Sequence, residues 1–322
     1  MASTAVLILA TLRTFGRFAY RRRSISAARA AAGLLGSSGF FILWGALLAV
    51  TLPAWGKDFE TVRFRAPHLD GKDVPLNVIL PEGYDGSAHR YPVIYLLHGY
   101  TVHYSDWVLH SGIRQHARQY QEIIVMPEAG TSWYVNNYAN PKLRWQDYFI
   151  YDVIPYVDHH FRTVATRTGR ALAGTSMGGY GALLLGLKYR TMFAAAASLS
   201  GVVSSAEPSF EQFVTDDIAK RIIENDFGPF GGPGRDENDL SKLVREIPPS
   251  QAPQLYLSIG TSDKYLGTNR DFVRLLSSLK IPCRYRELPG GHDWVVWDPE
   301  LKRVLAFLAP VIGAMPPGKP QP

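Results

Sequence analysis

At 322 residues, with 46% hydrophobic and 19% charged side chains, the chain has the make-up of an ordinary globular protein, which excludes a largely disordered one. The net charge of +6 suggests nucleic acid only until it is located. Six arginines (Arg13, Arg17, Arg21, Arg22, Arg23 and Arg29) fall in residues 1–56 with no acid, leaving 28 bases against 28 acids in residues 57–322, so no nucleic-acid partner is expected.

The first element is a leader. No charge stands between Arg29 and Lys57, and the densest apolar run is "FFILWGALLAVTL", Phe40 to Leu52. Its length suits a signal-peptide core and is short of the roughly 20 residues of a membrane-spanning helix, although adding "AAAGLLGSSG" makes it long enough. Residues 1–56 are expected to be an export signal cleaved near Ala54 or a retained N-terminal membrane anchor. Both readings stand, because Leu52 is a poor minus-three residue for cleavage. With the triple arginine on the cytoplasmic side, the remainder would face outward: periplasmic, extracellular or membrane-anchored.

From residue 57 the pattern changes. "TVRFRAPHLDGKDVPLNVILP" (61–81) alternates about a turn at Asp70-Gly71 and predicts an antiparallel hairpin at a sheet edge. Strand-length apolar runs follow at 91–99, 122–130, 170–177, 193–201, 254–263 and 283–291, with helix-like segments at 148–160, 179–189, 267–279 and 298–312. This alternation predicts an α/β fold with a mostly parallel central sheet and helices on both faces. Residues 202–250, Gly/Pro-rich at "FGPFGGPGRDEND", show no strand and read as an insertion over the sheet's carboxyl edge. One folded domain is expected over 57–312, and "MPPGKPQP" closes a disordered tail over 313–322. Cys283, the sole cysteine, excludes an intramolecular disulfide and reads as a strand residue within "IPCRYREL".

"ALAGTSMGGYGALLLG" (171–186) contains G-x-S-x-G between an apolar strand and a helix-like run, the setting of a nucleophile elbow. Glycines flanking Ser176 relieve collisions in a strained turn, and the helix start behind it favours developing negative charge. A serine hydroxyl needs a base. His292, in "LPGGHDW", is the only histidine downstream of Ser176. For the acid, Asp263 in "LSIGTSDKYLG" follows an apolar strand, whereas Asp293 adjoins the histidine and Asp298 opens the next helix. Oxyanion donors are expected at the backbone N–H groups of Met177 and, from the turn "LLHGYTVHYSDW", Tyr100. His98 in that turn reads as a buried, hydrogen-bonded histidine that shapes the loop.

"YLLHGYTVHYSDW", "SWYVNNY", "DVIPYVDHHF", "RALAGTSMGGYGALLLGLKY", "FAAAASLSG", "IGTSDKYLGTNRDF" and "GGHDWVVWDPEL" resemble, in order, the blocks of an esterase family of α/β-hydrolases. That family takes in tributyrin and feruloyl esterases, S-formylglutathione hydrolase (esterase D) and the antigen 85 mycolyltransferases. The resemblance covers about residues 60–310 and implies an α/β-hydrolase fold and serine esterase chemistry, with Ser176, Asp263 and His292 as the triad.

The expected function is a serine carboxylesterase working through an acyl-enzyme on a small-molecule or glycan-linked acyl ester. An exported acyltransferase that passes the acyl group to a sugar or other alcohol is the alternative, and a non-catalytic binding protein is a third reading. Trp107, Trp133, Tyr134 and Asn137 sit in loops expected to border the pocket. No cofactor and no metal are expected, and contact with a membrane is expected only through the N-terminal segment.

Overall fold

The structure, a computed structural model, describes residues 59–318. The expected leader over 1–56 lies outside the described residues. Eight strands form one sheet: β1 (Glu60–Ala66), β2 (Lys72–Ile79), β3 (Val93–Leu97), β4 (Ile123–Pro127), β5 (Arg170–Thr175), β6 (Ala195–Leu199), β7 (Gln254–Gly260) and β8 (Cys283–Leu288). Their order is β1-β2-β4-β3-β5-β6-β7-β8. β1 and β2 are the antiparallel edge hairpin, and β2 runs antiparallel to β4. From β4 to β8 every pairing is parallel. This is the α/β-hydrolase arrangement.

Parallel strands need crossovers, and crossovers cover both faces of the sheet. Successive residues of β3 therefore enter different cores: Val93, Tyr95 and Leu97 join one apolar cluster, Ile94 and Leu96 the other. The first is closed by the segment Trp145–His160 and the helices Met177–Lys188 and Leu266–Ser278, the second by Asp106–His110 and Trp294–Val311. Tyr148–Val153 is wound as a π-helix just ahead of Pro155, whose missing N–H and ring disfavour a regular turn there.

Between β6 and β7 the insertion holds no strand. Its longest helices, Asp217–Phe227 and Leu240–Glu246, are capped by the carboxylates of Asp216 and Asp239. At the C-terminal end the packed chain runs past 312: Ala314 is buried and the Met315 carbonyl accepts the Gln121 N–H. Cys283 is in β8 as expected, and burial pushes its thiol up to about 12, which keeps it unreactive.

Next to that contact stands Glu122, fully buried, with neither carboxylate oxygen hydrogen-bonded among the described residues. Burial pushes its pKa up from 4.5 to about 8. The unfolded chain releases this proton first, so between those values the folded state holds the extra proton and stability falls as pH rises. Thermal unfolding of the parent should therefore show lower stability at pH 8 than at pH 5. Glu122→Gln should lose most of that decline, which is on the order of 3 kcal/mol at pH 7. An unchanged slope in the variant would count against a buried, proton-binding Glu122.

Candidate active site

Because β3, β5, β7 and β8 are parallel, the loops that follow them open at one edge of the sheet. Ser176 follows β5. Its backbone has φ 53° and ψ −117°, a conformation that costs a non-glycine residue about 1–3 kcal/mol. Three main-chain hydrogen bonds hold it there. The Ser176 N–H donates to Leu199 O at 3.0 Å, and its carbonyl accepts from the N–H groups of Tyr180 (3.0 Å) and Val202 (3.3 Å).

The neighbouring glycines are required by close approach of backbones. A Cβ on Gly178 would stand 2.3 Å from Leu97 O and 2.6 Å from His98 O, and one on Gly174 would stand 2.4 Å from the Gly178 carbonyl. The helix Met177–Lys188 therefore starts directly against the end of β3. The same contact brings Gly99 beside the serine, where an added Cβ would lie 3.6 Å from Ser176 Cβ. The loop carrying the Tyr100 N–H is thus set against Ser176. The Met177 N–H opens the helix, a position with no acceptor in its own helix.

The structure brings the other two predicted residues to this serine. His292 Nε2 is 2.8 Å from Ser176 Oγ, and His292 Nδ1 is 2.7 Å from Asp263 Oδ2. The Asp263 side chain is fully buried, while that of His292 is one-quarter exposed. Burial works to raise the Asp263 pKa, but the hydrogen bond and charge of His292, with the Tyr265 N–H donating to Oδ1 at 3.0 Å, outweigh it and hold it below the ordinary carboxylate value. The aspartate therefore stays ionised beside the imidazole, and Nδ1 carries the proton it accepts.

His98 does what the sequence suggested. Its Nδ1 is 2.8 Å from Gly99 O, and its Nε2 accepts the Ala129 N–H at 2.9 Å. A carbonyl only accepts and an amide N–H only donates, so the ring is the Nδ1–H tautomer. Glu128 shapes the loop after β4, accepting from Gly130 N–H at 2.7 Å and Ala129 N–H at 3.1 Å, and meets the loop after β3 through the Tyr104 N–H at 3.4 Å. Burial opposes its ionisation, yet the backbone N–H groups that donate to it, that of Gly130 foremost, hold its pKa below the ordinary carboxylate value.

The structure places the loop side chains expected at the pocket as follows. Trp107 is fully buried in the cluster shared with the helix Trp294–Val311, with Nε1–H donating to Leu97 O at 3.2 Å and its ring edge-on to Trp294. Tyr134 is equally buried. Its hydroxyl donates to His98 O at 2.9 Å, and its ring fills the space over Gly181, where a Cβ would meet it at 2.4 Å. Trp133 is buried beneath Tyr100 among Phe210, Tyr180 and Phe227. Both residues of this turn have positive φ, 55° and 59°, and both rings are carried inward. Asn137 donates to Asp226 Oδ1 at 2.6 Å and accepts the Asn140 N–H, so its amide is occupied in joining this loop to the insertion. Burial raises the Asp226 pKa to about 7, with Asn137 offsetting part of the rise.

Two aromatic neighbours of the imidazole escaped the sequence reading. Tyr265 and Trp297 pack edge-on to His292 at 5.2 and 5.1 Å between ring centroids, one on each flanking element. Both fall within the acid and histidine blocks, so their position in those blocks was the available signal.

A family profile described as "Putative esterase" matches residues 68–308. The chain belongs to this esterase family. It is 32% identical over 252 residues to Esterase Rv1288 of Mycobacterium tuberculosis (strain ATCC 25618 / H37Rv), covering 71% of this chain and 54% of that protein. The chain thus spans about half the length of that relative. It is 26% identical over 233 residues to an acetyl esterase of Caldicellulosiruptor saccharolyticus, across 70% of this chain and 86% of the relative. Among solved structures it is similar to FphF, a fluorophosphonate-binding serine hydrolase of Staphylococcus aureus. There the TM-score is 0.69 and the identity 27%, covering 78% of this chain and 97% of that one.

The glycine geometry gives this esterase-family fold a direct test. Gly178→Ala should cost about 2–3 kcal/mol in thermal or urea unfolding, because backbone atoms on both sides cannot move apart independently. Gly267→Ala, with nothing within 4 Å of the added Cβ, should be neutral or slightly stabilising. Equal effects at the two positions would contradict the close approach at Ser176.

Proposed function

We propose that the chain is a serine carboxylesterase with Ser176 as nucleophile, His292 as general base and acid, and Asp263 as the group that orients and charges the imidazole. The observation that carries this reading is the continuous pair of contacts at His292, 2.8 Å to the serine and 2.7 Å to the aspartate. In the proposed cycle His292 takes the Ser176 proton as Oγ attacks the ester carbonyl. The oxyanion is received by the Met177 and Tyr100 N–H groups at the positive end of the helix Met177–Lys188. His292 then returns its proton to the leaving alcohol, and a water activated by the same ring releases the acid from Ser176.

Similarity to an acetyl esterase supports short acyl groups as the first substrates to try. Export, with the catalytic domain outside the cytoplasm, is proposed on the basic and apolar leader alone. Hydrolysis of p-nitrophenyl acetate, butyrate and octanoate tests the chemistry. Ser176→Ala should abolish turnover of every ester the parent hydrolyses. Asp263→Asn, which keeps shape but loses charge and tautomer control, should lower kcat by about 10³–10⁴-fold. Turnover in Ser176→Ala equal to that of the parent would exclude this reading.

A further inference from the structure

The insertion between β6 and β7 lines an open cavity of about 380 Å³. Its apolar wall is made by Phe210, Val214, Ile223 and Phe230. Its polar lining includes Arg235, which is buried, unlike most arginines. The guanidinium is fixed from two sides. Nε donates to Gly228 O and Nη1 to Ser205 O, both at 3.0 Å, and the plane lies 4.0 Å from the centroid of the Phe230 ring. Among the described residues Nη2 has no acceptor, and no carboxylate reaches the guanidinium as an ion pair. Glu211 and Glu224 also line the cavity; both are exposed, and their charges act on Arg235 from a distance without contact. Lys220, also there, is engaged by Asp217 at 3.7 Å.

A buried cation hydrogen-bonded only to neutral carbonyls, with carboxylates near but not in contact, leaves donors for one small anion that can reach it. The planar fork matches a carboxylate, and the exposed glutamates disfavour a doubly charged phosphate. We propose that this cavity is a binding site for a small monocarboxylate with an apolar body, its carboxylate on Arg235 and its body against Phe210, Val214 and Phe230. Two sources share that chemistry: a free carboxylic acid, or the carboxylate-bearing far end of an ester substrate. The second is within reach because the Phe210 ring packs 6.4 Å from Tyr265, which packs 5.2 Å from His292.

Calorimetric titration of the full chain with octanoate and with octan-1-ol tests the site without depending on turnover. The acid should bind about tenfold or more tightly than the alcohol, and Arg235→Gln should bring the two close to parity. Val214→Trp narrows the cavity and leaves Arg235 itself unchanged. It should weaken octanoate binding at least about tenfold while leaving the melting temperature within a few degrees. Octanoate binding that survives phosphonylation of Ser176 identifies a free acid as occupant; binding lost on phosphonylation and also lost in Val214→Trp identifies the far end of a substrate. Equal affinity of the parent for acid and alcohol, absence of binding, or unchanged octanoate binding in Val214→Trp would overturn the proposal. Should Arg235→Gln not fold, the parent's selectivity and Val214→Trp decide it. Loss of the esterase reading would leave these results standing, because none of the three binding comparisons uses Ser176.

Discussion

Everything at the candidate site depends on how closely the helix Met177–Lys188 approaches the end of β3. Gly178 faces the carbonyl oxygens of Leu97 and His98 with no room for a side-chain carbon. That contact forces the turn between β5 and the helix to be tight, and Ser176 takes up the strain at φ 53°. The hydrogen bonds to Leu199, Tyr180 and Val202 hold the strained residue in place. It also fixes where the loop after β3 can lie, so one packing constraint sets the serine and the Tyr100 backbone together.

The electrostatics follow from the parallel sheet. Carboxyl ends of β5, β7 and β8 deliver a hydroxyl, a carboxylate and an imidazole to one edge, where the serine and the imidazole are partly exposed and the carboxylate is buried. Burying Asp263 would ordinarily neutralise it, but His292 and the Tyr265 N–H keep it ionised. Tyr265 and Trp297 pack around the ring edge-on, which restricts its rotation. On the opposite side His98 and Glu128 anchor the loops after β3 and β4 through backbone N–H and carbonyl groups.

The residues that had to be read from sequence divide by the kind of signal they leave. Ser176 announced itself because strained turns select glycine, and Asp263 and His292 because each follows an apolar strand in a turn. The hairpin about Asp70-Gly71 and the strandless insertion were legible for the same reason, since period and turn chemistry are local. What was not legible is which way a loop side chain points. Trp107 stands in the short helix Asp106–His110 and Trp133, Tyr134 and Asn137 in a loop, yet where each points is decided by positive-φ turns and by tertiary partners such as Leu97 O, His98 O and Asp226. The π-helix before Pro155 and the cavity around Arg235 are likewise tertiary outcomes with no local pattern.

The central claim is that Ser176 is activated by His292 within this geometry. Tandem mass spectrometry after exposure to a fluorophosphonate measures that activation directly. The account predicts a single phosphonyl adduct on the peptide carrying Ser176, and its loss in a folded His292→Ala variant. Adduct formed equally in that variant, or found on another residue, would contradict it.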